Sequence, residues 1–147
     1  MAVDKINLRE VKWEDWKLLL DWRNDYYTRI QSHNTDVVNE EKHKAWLSKV
    51  LNDPNKKVFV GILGDESIGT VRYEFKDGEY ELSWTIAPEA RGRGLGKRLV
   101  KKMVDTLKNK YIKAEVKKGN KPSVKIAEYA GLSLVNEFND ILIFKNY

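Results

Sequence analysis

Between residues 91 and 98 the chain reads Arg-Gly-Arg-Gly-Leu-Gly-Lys-Arg. Glycines at alternate positions let a backbone run close to a ligand and adopt dihedrals that a Cβ forbids. Leu95, Leu99, Val100, Met103, Val104 and Leu107 follow at three-to-four spacing, so a helix starts inside this loop. Its first N–H groups have no partner within the helix, and such an end attracts phosphate. Arg91, Arg93, Lys97 and Arg98 crowd that end. Cations are disfavoured there because the helix dipole is already positive, so an anionic ligand would remove a mismatch. The alternative is a glycine-rich turn with solvated basic side chains.

Two phosphate motifs do not fit. A dinucleotide fingerprint starting at Gly92 needs Gly where Lys97 stands, and a P-loop ending on Gly96-Lys97 needs Gly at Arg91 and Ser or Thr at Arg98. The run Arg91 to Gly96 instead resembles the Q/R-x-x-G-x-G/A signature of the GNAT acetyltransferase family. Pro88 and the preceding strand Leu82–Ile86 resemble that family too, as does Asn120-Lys121-Pro122-Ser123, about 25 residues on and ending at Ala130-Gly131-Leu132.

The resemblance implies an N-acetyltransferase with acetyl-coenzyme A as donor. Its signature, Arg91, Gly92, Arg93, Gly94, Leu95, Gly96 and Lys97, would hold the pyrophosphate through backbone N–H groups. Ile86 and Ala87 would pair with the pantetheine arm, and Ile86 N–H would polarise the thioester carbonyl. Asn120 and Ser123 match positions facing the arm and its phosphates; a helix cap and a first-turn Ser are their alternative reading. Glu81 matches the family's general base. By period two it shares a strand face with Ser83 and Thr85, opposite Tyr80, Leu82, Trp84 and Ile86; a solvated strand carboxylate is the alternative. The chain departs from the family at the thiolate acid, where Ala127 replaces the Tyr found seven residues after the Asn. Tyr129 lies about 200° further around the helix and reads as a packing residue.

The acceptor side belongs to the N-terminal half. Trp22-Arg23-Asn24, with Tyr26 and Arg29, resembles the family branch that acetylates nucleotide-linked amino sugars, and also relatives acting on ribosomal-protein N-termini. Arg23 or Arg29 would meet a phosphate, and Trp22 or Tyr26 would stack on a base or sugar; an amphipathic helix pairing Arg23 with Asp21 or Asp25 is the alternative. His33 and His43 read as structural, with a base role as the alternative. Two His and no Cys give no metal site. Three functions stay open: an amino-sugar-nucleotide N-acetyltransferase, a peptide or protein amine acetyltransferase, and a coenzyme-A- or nucleic-acid-binding module without transfer activity. Nucleic acid is disfavoured because the aromatic and basic residues do not interleave on a strand.

The elements that position these residues follow from pattern. Lys5 to Val11 alternates as a strand. Glu14 and Asp15 open a helix carrying Trp16, Leu19, Leu20 and Arg23, and a loop or short helix covers Tyr26 to Val38. Asn39 caps a second helix bearing His43, Trp46, Leu47, Val50 and Leu51. Strands Lys57–Leu63, Ser67–Phe75 and Glu79–Ile86, with turns at Gly64-Asp65 and Asp77-Gly78, form an antiparallel meander. The signature helix, a strand Ile112–Lys117, a helix opened by Asn120 and closed by Gly131, and strands at Val135 and Ile141–Phe144 complete the chain. The order β-α-α-β-β-β-α-β-α-β-β is an α/β (α+β) domain with a mixed sheet. The resemblance implies six to seven mostly antiparallel strands, splayed between the fourth and fifth, with about four helices. All 147 residues fit one domain, and the net charge of +5 favours anionic partners. With no apolar run long enough to span a bilayer and no secretory leader at the N-terminus, the expected location is cytoplasmic, and the expected state a monomer or homodimer.

Overall fold

The computed structural model describes residues 5–147, so residues 1–4 of the N-terminal segment read above lie outside the described residues. The strands are β1 (Ile6–Glu10), β2 (Lys56–Leu63), β3 (Glu66–Lys76), β4 (Glu79–Ile86), β5 (Ile112–Lys117), β6 (Ser133–Phe138) and β7 (Ile141–Lys145). The helices are α1 (Trp16–Asn24), α2 (Tyr26–Ile30), α3 (Glu40–Leu51), α4 (Leu95–Thr106) and α5 (Lys121–Tyr129). One seven-stranded sheet runs β1-β2-β3-β4-β5-β7-β6. All pairings are antiparallel except β4 with β5. The expected mixed sheet and its splay are both present.

The β3–β4 hairpin turns on Asp77 and Gly78, both with positive φ (53° and 81°). This is the geometry that makes Asp-Gly a two-residue hairpin signal. α3 begins at Asn39, whose side chain accepts from Lys42 N–H. α5 begins at Asn120, whose side chain accepts from Ser123 N–H. Each cap satisfies an N–H that the helix cannot.

Two layers of helix cover the sheet. α4 lies on the face carrying Gly61, Val71 and Leu82; its Leu99 reaches so close to Gly61 that a Cβ there would lie 2.5 Å from Leu99 Cδ1. α1 and α3 cover the other face, where Trp46 of α3 meets Arg72 of β3. Leu82, Leu99, Met103, Ile112 and Phe144 are fully buried between sheet and α4–α5, and Leu47 anchors α3.

The feature that makes a site is a fork. β4 and β5 pair only at Tyr80↔Ile112, Glu81↔Lys113 and Leu82↔Ala114, and then separate. The open half of β4, Ser83 to Ile86, stays paired to β3 alone. Its end is set by Gly69, with φ of 157° and no room for a side chain: a Cβ would sit 2.4 Å from Thr85 O. Backbone oxygen cannot yield as a side-chain tip can. We therefore expect Gly69→Ala to destabilise the fold by about 1–3 kcal/mol, the usual cost of overpacking. Urea unfolding checks this, and an unchanged midpoint would show that β3 and β4 approach less closely than described.

Candidate active site

A cleft of about 890 Å³ runs from α1 and α3, through the fork, to the start of α4 and α5. Its walls include Trp22, Arg23, Trp46, Arg72, Ile86 and Glu115 on the way to Gly92, Gly94, Lys97 and Ser123.

At one end is the glycine loop. Gly92 and Gly94 both have φ of 73°, in the left-handed region, and a Cβ on either would meet nothing within 4 Å. Gly94 is the N-cap of α4 and brings no side-chain cap, and no acidic residue stands in the first turn. The first N–H groups of this twelve-residue helix are therefore left for an external acceptor. Gly96 has a different role. A Cβ there would sit 2.6 Å from Ile126 Cδ1 and 3.2 Å from Ile86 Cδ1, so it lets α4 pack against α5 and β4. The open glycines and the uncapped helix start fit a pyrophosphate.

The side-chain charges do not behave as the sequence suggested. Arg91 donates to Asp25 Oδ2 and Thr28 Oγ1 and stacks over Tyr27. Arg93 forms a bidentate pair with Glu66, at 2.8 and 3.0 Å. Two of the crowding cations are thus already answered by protein carboxylates. Their charge does not call for a ligand, which corrects the expectation drawn from their crowding; the open backbone N–H groups call for one without them. Lys97 has its Nζ over the Tyr129 ring at 5.8 Å. Lys121 and Lys125 on α5 also line this end of the cleft. They were missed because surface lysines carry no pattern. Tyr129 is half exposed rather than packed in the core.

Backbone direction separates Ile86 from Ala87. Tyr80 N–H donates to Tyr111 O on the fork side, whereas Ala87 N–H donates to Ile68 O on the β3 side. N–H groups alternate along a strand. Ile86 N–H therefore faces the fork, where β5 no longer answers it. Ala87 N–H is used, and Ala87 O accepts from Ala90 N–H. The expected pairing of a ligand with Ala87 is corrected on that ground. Asn120 is buried and caps α5, and Ser123 Oγ accepts from Trp84 Nε1 at 3.2 Å, tying β4 to α5.

Of the four acceptor-side residues, Trp22 and Arg23 touch the cleft and Tyr26 and Arg29 do not. Trp22 is buried in the core, which corrects the expectation that its ring stacks on a base or sugar. Tyr26 is exposed. Arg29 is held by Asn24 O and Thr35 O, both at 3.3 Å. Asp21 pairs with Lys17 and Asp25 with Arg91, so Arg23 has neither of the carboxylates suggested for it.

Glu81 and Glu115 point to the same sheet face. Glu81 sits within the paired half of the fork, opposite Glu74 and Lys113. Burial, then the Glu115 and Glu74 charges, push its carboxyl above the ordinary value. Glu115 lines the open cleft, with Lys113 Nζ at 3.2 Å and His33 Nε2 at 3.5 Å. Its signal was in the sequence: Ala114 and Val116 are buried, so period two turns Glu115 away from them. Among the described residues no cluster of His, Cys, Asp or Glu is arranged to hold a metal. No described helix is long and apolar enough to cross a membrane.

Residues 5–133 match the acetyltransferase (GNAT) domain family. The chain is 25% identical over 137 residues to acetyltransferase PseH of Campylobacter jejuni, covering 91% of this chain and 87% of that protein. It superimposes on AAC(6')-Ib in complex with ribostamycin and coenzyme A with a TM-score of 0.82, at 19% identity, covering 97% of this chain and 92% of the other. Spermidine N-acetyltransferase from Vibrio cholerae in complex with CoA and spermine gives a TM-score of 0.82 at 19% identity, covering 96% and 93%. The likeness to these structures is one of fold.

His43, buried beside the cleft, yields a pH prediction. Its Nε2 donates to Trp16 O at 2.8 Å, which leaves Nδ1 unprotonated, buried and without a partner among the described residues. Burial, with Arg23 nearby, lowers its pKa below the ordinary value of 6.5. The unfolded chain therefore takes up this proton first as pH falls. The stability due to neutral His43 is complete above the unfolded value and is lost as pH drops through it toward the folded one. Thermal unfolding between pH 7 and 5 should show a loss, at most about 1.4 kcal/mol per pH unit for one proton. His43→Gln should flatten it. An equal slope in the variant would contradict a buried neutral imidazole.

Proposed function

The chain belongs to the GNAT acetyltransferase family, and from that premise we propose that it moves an acetyl group from acetyl-coenzyme A to a primary amine on a nucleotide-linked amino sugar. One observation carries the donor assignment: the uncapped start of α4, with Gly92 and Gly94 open to the cleft, lies where β4 and β5 part. Proteins of like fold that carry ribostamycin or spermine support a small-molecule amine over a peptide.

Acetyl-coenzyme A supplies an electrophilic thioester carbonyl and a thiolate that can leave. The chain's part is to hold, polarise and move protons. Backbone N–H groups of the segment Gly92, Arg93, Gly94, Leu95, Gly96 and Lys97 bind the pyrophosphate, while Arg91 N–H is taken by Pro88 O and the Arg91 and Arg93 side chains brace the loop through Asp25 and Glu66. Ile86 N–H lies in the fork to bind the carbonyl oxygen, where a preformed donor is most effective as charge develops. Asn120 and Ser123 hold the opposite wall. The amine must lose a proton before attack. Glu115, which opens on the cleft, takes that proton; Glu81, held above its ordinary value by burial and then by the Glu115 charge, lies behind it in the paired half of the fork, off the cleft lining. Trp22 and Arg23 border the acceptor end. Tyr27 lines the cleft beside Arg91, and in this reading it supplies the proton to the leaving thiolate.

Coenzyme A should raise the melting temperature of the native protein, because it binds only the folded state. Gly94→Val should remove that rise, by filling the open space and straining a left-handed backbone; a rise equal to the wild type's would contradict the cradle. Glu115→Gln should lower kcat by roughly 10²-fold or more, the usual contribution of a positioned base, with a smaller loss for Glu81→Gln. Both should keep the coenzyme-A-dependent stabilisation. Unaltered turnover in both would exclude these carboxylates as the base.

A further inference from the structure

The acceptor end of the cleft holds two guanidiniums, Arg23 and Arg72, that form no ion pair with any carboxylate among the described residues. Arg23 arrives from α1 and Arg72 from β3, and both lie over the Trp46 ring, with Cζ at 5.9 and 5.6 Å from its centre. The hydrogen bond that Arg72 makes is to a neutral group, Nε to Ser83 Oγ at 2.6 Å. That bond fixes the guanidinium plane and leaves its two terminal nitrogens to the cleft. Both residues line the cavity, and Arg72 is exposed within it.

This is not how the chain treats Arg9, Arg91 and Arg93, which are paired with Asp15, Asp25 and Glu66. None of the carboxylates near the pair makes an ion pair with it, although Glu74 and Glu81 lie close enough for their charges to reach Arg72. Asp21 pairs with Lys17, Asp25 with Arg91 and Glu74 with Lys56. Glu81 and Glu115 lie on the same sheet face but form no ion pair with either arginine, Glu115 being held by Lys113. His43 on α3 is neutral and adds no charge, while Lys117 on β5 adds a positive one. Desolvation pushes both guanidiniums below their ordinary pKa; Arg23 pushes Arg72 further, and the Glu74 and Glu81 charges draw it only part of the way back.

Two like charges beside one indole, in a partly dehydrated cleft, repel each other. The indole face offsets some of that cost. An oxyanion between them would offset the rest, with the fork geometry that suits phosphate. A polycationic acceptor would worsen it. We propose that Arg23 and Arg72, held against Trp46 and oriented by Ser83, form a clamp for a phosphate-type oxyanion carried by the acceptor, and so decide which amines are acetylated. This rests on the acetyltransferase reading and deepens it. The acceptor's anion lies at Arg23 and Arg72, and its ammonium lies toward Glu115.

The test uses protein saturated with coenzyme A, so that the donor's own phosphate site is filled. Calorimetric titration with UDP, inorganic pyrophosphate and spermidine then reports the acceptor end alone. UDP should bind the wild type and spermidine should not. Arg72→Gln should weaken UDP by roughly tenfold or more, with partial rescue by Arg72→Lys, which keeps the charge but not the fork. Arg23→Gln should behave as Arg72→Gln does. All variants should keep the wild-type coenzyme-A-dependent rise in melting temperature, which shows that they fold and separates this clamp from the donor site. Pyrophosphate as tight as UDP would mean that the phosphate alone is read; UDP much tighter would mean that the nucleoside contributes. The proposal is overturned if neither anion binds the saturated wild type, or if both bind Arg72→Gln and Arg23→Gln unchanged. A wild type that coenzyme A does not stabilise would overturn the acetyltransferase reading instead.

Discussion

A helix cannot satisfy its own first N–H groups, and something else must. α3 and α5 solve this with Asn39 and Asn120, and α2 with Asp25. α4 does not. Its N-cap is Gly94, which has no side chain to offer, and the loop before it is shaped by left-handed glycines that leave space rather than fill it. Much else in the molecule serves to keep that end open and aimed. Gly96 lets α4 lie tight against α5 and β4, and Arg91 and Arg93 are pinned to Asp25 and Glu66 so that the loop holds its path.

The sheet extends the same logic. Three residue pairs join β4 to β5, after which the strands part and leave the fork-facing groups of β4 without a neighbouring strand. Unpaired strand edges normally invite association or are covered. Here the edge lies inside the molecule, facing a cleft. In the proposed reading, Ile86 N–H at this edge and the N–H groups of α4 would together be the donors that a thioester on a pyrophosphate-bearing arm requires. Trp84 to Ser123 closes the far wall without closing the fork. The acceptor helices are linked to the donor loop through Arg91, which touches Asp25, Thr28 and Tyr27 of the α1–α2 region. Donor and acceptor ends thus share one mechanical connection.

Local signals carried the fold far. β4 and β5 span Glu79–Ile86 and Ile112–Lys117, matching the alternation that predicted them, and the Asp77-Gly78 turn has the dihedrals its composition demands. The glycine loop and the Asn120 cap were likewise legible, because each depends on residues within one turn of each other. What sequence could not reveal was long-range pairing. Arg91 and Arg93 read as uncompensated because their partners, Asp25 and Glu66, lie 66 and 27 residues away. Arg72, a lone arginine on a strand, carries no local signal; only the packing of α1 and α3 brings Arg23 and Trp46 to it. Tyr26 and Arg29 followed a motif that the short α2 turns away from the cleft. Glu115 is the instructive omission, since period two alone distinguished it from Ala114 and Val116.

Binding of a diphosphate by backbone amides at the start of α4 is the central claim. Amide ¹H–¹⁵N spectra recorded during titration with coenzyme A test it most directly, since each N–H reports on its own hydrogen bond. The largest shifts should fall on Gly94, Leu95, Gly96 and Lys97, accompanied by Ile86. Spectra in which those amides stay still while shifts gather elsewhere would contradict the account.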